Sequence, residues 1–300
     1  MPGDILLLVD GTAVAYRAFY AIRELSTSDG RPTNALFGFI RMLDQLKNIW
    51  KPSHWAVVFD GGLPVERTTV LESYKAQREP MPDALAGQLQ AIDEYLELAG
   101  ISWILVKGQE ADDVMATMTR RGLEKGADVM IATSDKDMYQ LVDARVSIIP
   151  PSKAGSRMGP QEVQAKTGVE PAKIPEWLAL VGDSVDNIPG VPGVGPKTAA
   201  QILDQYGSLE GVWAHLPQVG TERLRAALGA HADIVRRNVA LVSLRSDVDC
   251  PFDWDAFRVR PVERERLAPF FKRYELRSLG TQTDGGHAKG KDTLPLPLDT

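Results

Sequence analysis

Nine acidic residues carry the first chemical signal in this chain: Asp10, Asp60, Glu110, Asp112, Asp113, Asp135, Asp137, Asp183 and Asp186. They form five short clusters, and four of these sit where an apolar run ends. Asp10 follows ILLLV, Asp60 follows WAVVF, Glu110, Asp112 and Asp113 lie just past ISWILV, and Asp135 and Asp137 close DVMIATS; Asp183 and Asp186, in LVGDSVDN, complete the set. Two carboxylates ~4 Å apart repel by roughly 4 kcal/mol at an effective dielectric of about 20. A converged group therefore needs protons or cations between its members, and a divalent metal is the first hypothesis. The single cysteine, Cys250, and four scattered histidines (His54, His215, His231 and His287) offer no zinc spacing, so the expected ligands are oxygens.

Each cluster has an ordinary structural explanation as well. Asp-Gly after a strand makes a turn, acids at 110–113 suit a helix N-terminus, Asp135 and Asp137 suit a strand end, and Asp183 and Asp186 fall on one face of a helical turn. One cap needs one acid, not three, and the five clusters together outweigh five separate coincidences. If the strand before them stays extended, Asp135 and Asp137 point to the same side.

The elements that must position these acids follow from the apolar pattern. Residues 5–10, 54–60, 101–106, 128–134 and 145–149 are short runs rich in Val and Ile, too continuous for half-exposed strands, and they predict central parallel strands. Between them lie segments with helical spacing: Leu36, Ile40, Leu43 and Ile49; Leu85, Leu89, Ile92 and Leu96; and DDVMATMTRRGLEKG. Alternating strand and helix gives an α/β fold, a parallel sheet with helices on both faces, and ligands of such sheets bind beyond the carboxyl ends of the strands. Four acidic clusters fall at those ends. From about residue 150 the pattern turns helical with no further strand candidate, and the polar stretch from 280 onward reads as a flexible tail.

Composition permits several partners and excludes few. The 300 residues are 44% hydrophobic and 25% charged, ordinary for a globular protein. Net charge is −6, and setting aside the nine clustered carboxylates leaves +3, so nucleic acid is permitted without being predicted. No run approaches ~18 apolar residues and no secretory leader is evident, so the expectation is a soluble, cytoplasmic chain with no membrane partner. Nothing signals oligomerisation, and a monomer is expected.

Three segments add to the acidic set. Tyr16, Arg17, Phe19 and Tyr20 follow the first strand and could stack on bases or hold phosphates, although the aromatics suit the core equally. The long connection GGLPVERTTVLESYKAQREPMPD mixes Arg67, Lys75 and Arg78 with Tyr74. NIPGVPGVGPKTAAQIL carries Gly190, Gly193 and Gly195, then Lys197 and Thr198 opening a helix. It resembles a helix-hairpin-helix, whose glycine-rich turn brings backbone N–H groups close to DNA phosphates. A nucleotide-binding P-loop fails by one residue, because Pro196 stands where lysine must be.

In order, VDGTAVAYRAFYA, VVFDG, SYKAQREPMP, GQEADDV, ATSDKDMYQL and LVGDSVDNIPGVPGVGPKTA closely resemble the 5′ nuclease (flap endonuclease) family, and within it the bacterial 5′–3′ exonuclease domain of DNA polymerase I, from about residue 4 to 279. The resemblance implies a PIN-like catalytic domain at 1–170 with an arch at about 61–84, a helical DNA-binding domain at 171–279 containing a helix-hairpin-helix (helix-three-turn-helix), and a tail at 280–300. It implies a two-metal, structure-specific 5′–3′ exonuclease and flap endonuclease acting in RNA-primer removal, replication and repair. Two Mg²⁺ ions are implied, with Mn²⁺ as a substitute: Asp10, Asp60, Glu110 and Asp112 at the first, and Asp113, Asp135, Asp137, Asp183 and Asp186 at the second. Lys75 and Arg78 would meet the scissile phosphate, Arg17 would position the 5′ strand, and Tyr74 with Gly190, Gly193, Gly195, Lys197 and Thr198 would contact DNA, with K⁺ at the glycine-rich turn. Expected substrates are 5′ flaps, nicks and RNA-primed ends. The chain stops after RYELRSLG and a polar tail, so a free-standing nuclease is expected, which leaves open a separate DNA polymerase as partner. The rival readings are a non-catalytic DNA-binding module and a PIN-type ribonuclease.

Overall fold

The computed structural model describes residues 3–280, and the tail expected beyond them lies outside the described residues. All five expected strands form: β1 (Ile5–Asp10), β2 (His54–Phe59), β3 (Trp103–Leu105), β4 (Asp128–Ala132) and β5 (Val146–Ile149). They pair in parallel in the order β3-β2-β1-β4-β5. Chain order reverses direction at the β1–β4 neighbours, which is the place where such sheets bind ligands beyond their carboxyl ends. Asp10 ends β1, and Asp135 and Asp137 follow β4.

Strand alternation sends successive residues to opposite faces. Leu7 and Val9 of β1 face helices α1 (Gly11–Ala21), α2 (Asn34–Trp50) and, past the short α3 (Val65–Val70), α4 (Asp83–Leu98), where Leu36, Phe39, Leu43, Leu85 and Ile92 join one core. Leu6 and Leu8 face the other way, onto Val114, Met115 and Met118 of α5 (Ala111–Glu124). That second core runs on without a break through α6 (Pro160–Thr167), α7 (Ile174–Val181), α8 (Pro196–Tyr206), α9 (Leu209–Ala214), α10 (Glu222–Ala230) and α11 (Ala232–Val242). The helical region is thus packed directly on the sheet, and Leu178 and Leu180 of α7 are fully covered by it.

The end of the chain departs from the expected division. Trp254 and Phe257 still join the core shared with the helical region, but the residues from Val259 onward return to the sheet and pack on its other face. Trp55 at the start of β2 donates to the Phe257 carbonyl at 2.8 Å, and Val259 donates to the Ser53 carbonyl at 2.9 Å. Helix α12 (Arg264–Arg273) and the single turn α13 (Arg277–Gly280) place Leu267, Phe270 and Leu276 in the core beside α4, with Phe270 6.1 Å from Tyr95 between ring centres. Apolar helical spacing alone says that a segment packs, not which face it packs on. No helix among the described residues is long and apolar enough to cross a membrane.

Candidate metal centre

The loops at the carboxyl ends of β1, β2 and β4 build the site. Asp10 caps α1, with Oδ1 accepting the Ala13 N–H at 2.9 Å and Oδ2 the Thr133 hydroxyl at 2.9 Å. Asp60 caps α5 from across the sheet, its Oδ1 accepting the Ala111 N–H at 3.0 Å, while its own N–H donates to Thr12. The capping explanation is therefore true and insufficient, since Asp10, Asp60, Asp112 and Asp135 also line one cleft of about 500 Å³ together with Arg17, Tyr20, Lys75 and Arg78. Burial, reinforced by Asp60 and Asp135 and only partly offset by the hydrogen bonds from Ala13 and Thr133, pushes Asp10 up to about 7. Burial and then the neighbouring Asp135 and Asp10 hold Asp112 well above the usual carboxylate range. A cation among these groups would remove that penalty.

Beside this group lies a second. Asp137, Asp183 and Asp186 offer carboxylate oxygens that all fall within 4.8 Å of one another. Asp137 Oδ1 is buried with no hydrogen-bond partner, and burial followed by Asp135, Asp186 and Asp183 raises its carboxyl well above the usual range. An oxygen-only donor set with an orphaned buried oxygen fits a hard divalent cation. Asp135 stands between the two groups, lining the cleft while feeling the charges of Asp183 and Asp186.

The local backbone differs from the expectation in two places. Asp135 and Asp137 are not on an extended strand: β4 ends at Ala132 and Asp137 opens a short 3-10 helix, Asp137–Leu141, its N–H donating to Asp135 Oδ1 at 2.8 Å. Asp183 and Asp186 are not on a helical turn either. They lie in a tight loop after α7, closed by paired hydrogen bonds of 2.8 and 2.7 Å between Asp183 and Ile188. In both places the loop aims the carboxylates inward without needing regular structure.

Two expected ligands are turned elsewhere. Asp112 and Asp113 are consecutive on α5, so about 100° separates them around the helix. Asp112 faces the cleft, whereas Asp113 is fully buried and accepts from Arg67 Nη2 and the Arg245 N–H, both at 2.9 Å. Glu110 is buried against Arg67, Lys75 and the Tyr74 hydroxyl. Burial works against its ionisation, but Lys75 and Arg67 outweigh that and hold its carboxyl below the usual range. Tyr74 is only 4% exposed and donates inward to Glu110, so the expected DNA contact is replaced by a buried hydrogen bond.

The connection expected to form the arch thus reaches down into the acids. Lys75, held at φ +54°, pairs with Glu110 and lies 3.5 Å from Asp186 Oδ2, and Arg78 Nη2 donates to Asp186 Oδ1 at 3.1 Å. Arg17 lines the cleft with its Nε buried and unpartnered. Sequence reasoning noted Arg67 in the long connection but gave it no part in the site. It also missed Lys136, 3.1 Å from Asp183, and the positioning hydroxyls of Thr12 and Thr133, for which no sequence signal existed beyond adjacency.

The glycine-rich turn serves two different purposes. A Cβ on Gly190 would lie 2.1 Å from the Val181 carbonyl oxygen, so this glycine is needed for close backbone packing inside the chain rather than for DNA approach. Gly193 has φ +82°, and Gly195, the N-cap of α8, has an ordinary φ of −91° with open space where a Cβ would point. Lys197 is exposed and Thr198 half-buried in the first turn of that helix. Asn238 of α11, fully buried, ties the turn down by donating to the carbonyls of Ala179 at 3.1 Å and Pro189 at 2.7 Å. Gly190→Ala is expected to lower stability by at least about 2 kcal/mol, read as a shift of the urea midpoint, because backbone must move to admit the methyl group.

Comparison with known proteins agrees with this geometry. Residues 5–168 match the family described as 5′–3′ exonuclease, N-terminal resolvase-like domain, and residues 169–265 match 5′–3′ exonuclease, C-terminal SAM fold. A 5′–3′ exonuclease of Aquifex aeolicus is 39% identical over 279 residues, covering 93% of this chain and 95% of that protein. The thermostable DNA polymerase I of Thermus thermophilus is 39% identical over 300 residues, which is 99% of this chain but only 34% of the polymerase. The bacteriophage T5 D15 flap endonuclease, solved as a pseudo-enzyme-product complex with DNA and metal ions, superposes with a TM-score of 0.66 at 22% identity, over 93% of this chain and 100% of that one, a likeness of fold. With both halves of its length matched in order and a relative of equal span at this identity, the chain belongs to the 5′–3′ exonuclease family.

Proposed function

We propose that this chain is a structure-specific 5′–3′ exonuclease and 5′-flap endonuclease that hydrolyses DNA phosphodiester bonds with two divalent cations, in RNA-primer removal, replication and repair. One observation carries the reading: Asp10, Asp60, Asp112 and Asp135 converge beyond the strand ends, beside the Asp137, Asp183 and Asp186 trio and in one cleft with Arg17 and Arg78. The first four carboxylates would hold one cation and the trio the second, with Asp135 between them. Bound Mg²⁺, with Mn²⁺ as a substitute, would supply a low-pKa water and neutralise charge on the phosphoryl oxygens. Thr133 and Thr12 fix the strand-end loops, Arg17 and Arg78 offer guanidinium groups to phosphate oxygens, and Lys75 balances Glu110 and Asp186. Glu110 and Asp113 act as anchors for Arg67 rather than as ligands.

In this reading residues 1–170 cut and the helical region grips duplex DNA through Gly193, Gly195, Lys197 and Thr198, where K⁺ would bind the turn's carbonyls. The open approach to Gly195 supports the grip. Gly195→Ser is expected to keep or slightly raise stability, since serine is a good N-cap, while weakening flap binding several-fold in an anisotropy titration. Relatives in which the matched stretch is a third of a DNA polymerase I support a polymerase partner. The deciding assay incubates labelled 5′-flap DNA, nicked DNA and single-stranded RNA with Mg²⁺ or with EDTA. Cutting near the flap junction that EDTA abolishes is expected; activity confined to RNA, or unaffected by EDTA, sinks the proposal.

A further inference from the structure

Asp137 is the member of the acidic trio that surrounding side chains hold least. Asp183 meets Lys136 at 3.1 Å and Asp186 meets Arg78 at 3.1 Å, whereas Asp137 Oδ1 is buried with no hydrogen-bond partner. Its neighbours repel it, since Asp135, Asp186 and Asp183 all oppose its charge. It opens a five-residue 3-10 helix, a form too short and too poorly hydrogen-bonded to resist that push alone. The Asp137 backbone is nevertheless fixed on both sides. Its N–H donates to Asp135 Oδ1 at 2.8 Å, and its carbonyl accepts from Gln140 Nε2 at 2.8 Å. Gln140 uses its whole amide, for Nε2 also donates to the Val242 carbonyl at 2.9 Å and Oε1 accepts the Leu244 N–H at 3.0 Å. Val242 ends α11, where carbonyls have no partner within the helix, so the amide answers a need at each contact. Turned over, it would set oxygen against two carbonyls and its NH2 against an N–H, so one orientation satisfies the group.

One turn back on α11, about 6 Å along the axis, Asn238 donates to the carbonyls of Ala179 and Pro189. Pro189 adjoins Ile188, whose pairing with Asp183 closes the loop that carries Asp183 and Asp186. The trio is thus assembled from two segments that are both moored to one helix. Resting on the function proposed above, we propose that Gln140 is a positioning residue for the second cation, setting the distance of Asp137 from Asp183 and Asp186 by tying it to the end of α11. Gln140 is not among the residues that line the cleft, so it acts through Asp137. Without the tie, mutual repulsion opens the trio. Mg²⁺ requires near-octahedral ligands at about 2.0–2.1 Å, while Ca²⁺ accepts flexible geometry at about 2.3–2.6 Å, so an opened trio loses the smaller ion first.

The test titrates the full chain with Mn²⁺, reading the free ion by electron paramagnetic resonance, and then displaces the bound Mn²⁺ with Mg²⁺ or Ca²⁺. The native chain is expected to show two classes of site, of which Asp183→Asn removes one. In Gln140→Met that same class weakens on the order of tenfold for Mg²⁺ and less for Ca²⁺, while the other class is unchanged and so reports an intact fold. Gln140→Glu keeps an acceptor for the Leu244 N–H but loses both donors. It weakens the class too, although its added negative charge alone would tighten a cation. In flap cleavage the half-saturating Mg²⁺ concentration rises by the same factor, with KM for the DNA unchanged. Unaltered affinity in both variants, equal weakening of both classes, equal weakening for Mg²⁺ and Ca²⁺, or tighter binding in Gln140→Glu overturns the proposal. A native chain with no second class overturns the two-cation reading itself, whereas two classes indifferent to Gln140 remove only the positioning residue.

Discussion

Replacing Asp112 with asparagine is expected to lower metal-dependent strand cleavage by roughly a thousandfold, equivalent to several kcal/mol of lost transition-state stabilisation, while leaving the chain folded. Asp112 is the helix α5 carboxylate that reaches the cleft, in the company of Asp10, Asp60 and Asp135. Its charge is opposed by burial and then by Asp135 and Asp10, so without a cation it destabilises the fold. The sign follows for the carboxyls that burial raises, Asp10, Asp112 and Asp135. Asp10 ionises at about 7 when folded and at 3.8 in its ordinary setting, so between those values the folded state holds a proton that the unfolded chain has released. This group's contribution is therefore favourable at low pH and lost as pH rises, about 4 kcal/mol by neutral pH for Asp10 alone. A bound cation displaces the proton and restores that stability. The gap between melting temperatures in Mg²⁺ and in EDTA should accordingly widen from pH 5 to pH 8, and Asp112→Asn should melt higher than the native chain in EDTA at pH 7.5. A gap that does not change with pH, or a variant that keeps a tenth of native cleavage in single-turnover assays, would falsify this assignment.

Arg67→Met is expected to destabilise the protein by about 3–5 kcal/mol although Arg67 lies in a long connection outside the sheet. Its guanidinium is buried, pairing with Glu110 and Asp113 and donating to the Ser243 carbonyl at 3.3 Å. Burial disfavours its charge, yet Asp113 and Glu110 outweigh that and raise its pKa. Methionine can fill the space but leaves the buried Asp113 without a counter-charge and Glu110 with Lys75 alone. Adding Asp113→Asn to the same chain should recover part of the loss, because the uncompensated charge is then gone. Urea unfolding of the single and double variants measures both values. A single-variant loss below about 1 kcal/mol would show that the network is solvated rather than buried. Arg67 joins the base of the expected arch to the helical region through Ser243, so its loss should also lower cleavage without any contact to substrate.

Much of the fold was legible because the pattern behind it is local. Five Val- and Ile-rich runs separated by helical spacing specify a parallel sheet covered on both faces, and acids at the ends of those runs then lie beyond its carboxyl edge. The same local reading failed for the C-terminal segment, where Phe270 and Leu276 are apolar at helical spacing whichever surface they cover, and their packing beside α4 depends on contacts far apart in sequence. It failed for Tyr74 too, since a tyrosine in a charged connection gives no sign that its hydroxyl will meet a glutamate 36 positions away.

By itself the sequence put four acidic clusters where the strands of an α/β sheet end and a fifth next to a glycine-rich turn, and it required that cations or protons accompany those that converge. Only the tertiary structure decided how they divide. Asp112 and Asp113 are neighbours in sequence, yet one lines the cleft and the other is shut against Arg67. The reason is geometric: a helix turns about 100° per residue, so a cluster that reads as a unit is separated according to which side of the helix each position occupies. What each carboxylate then meets, a cation, an arginine or a lysine, depends on the segments packed against that side.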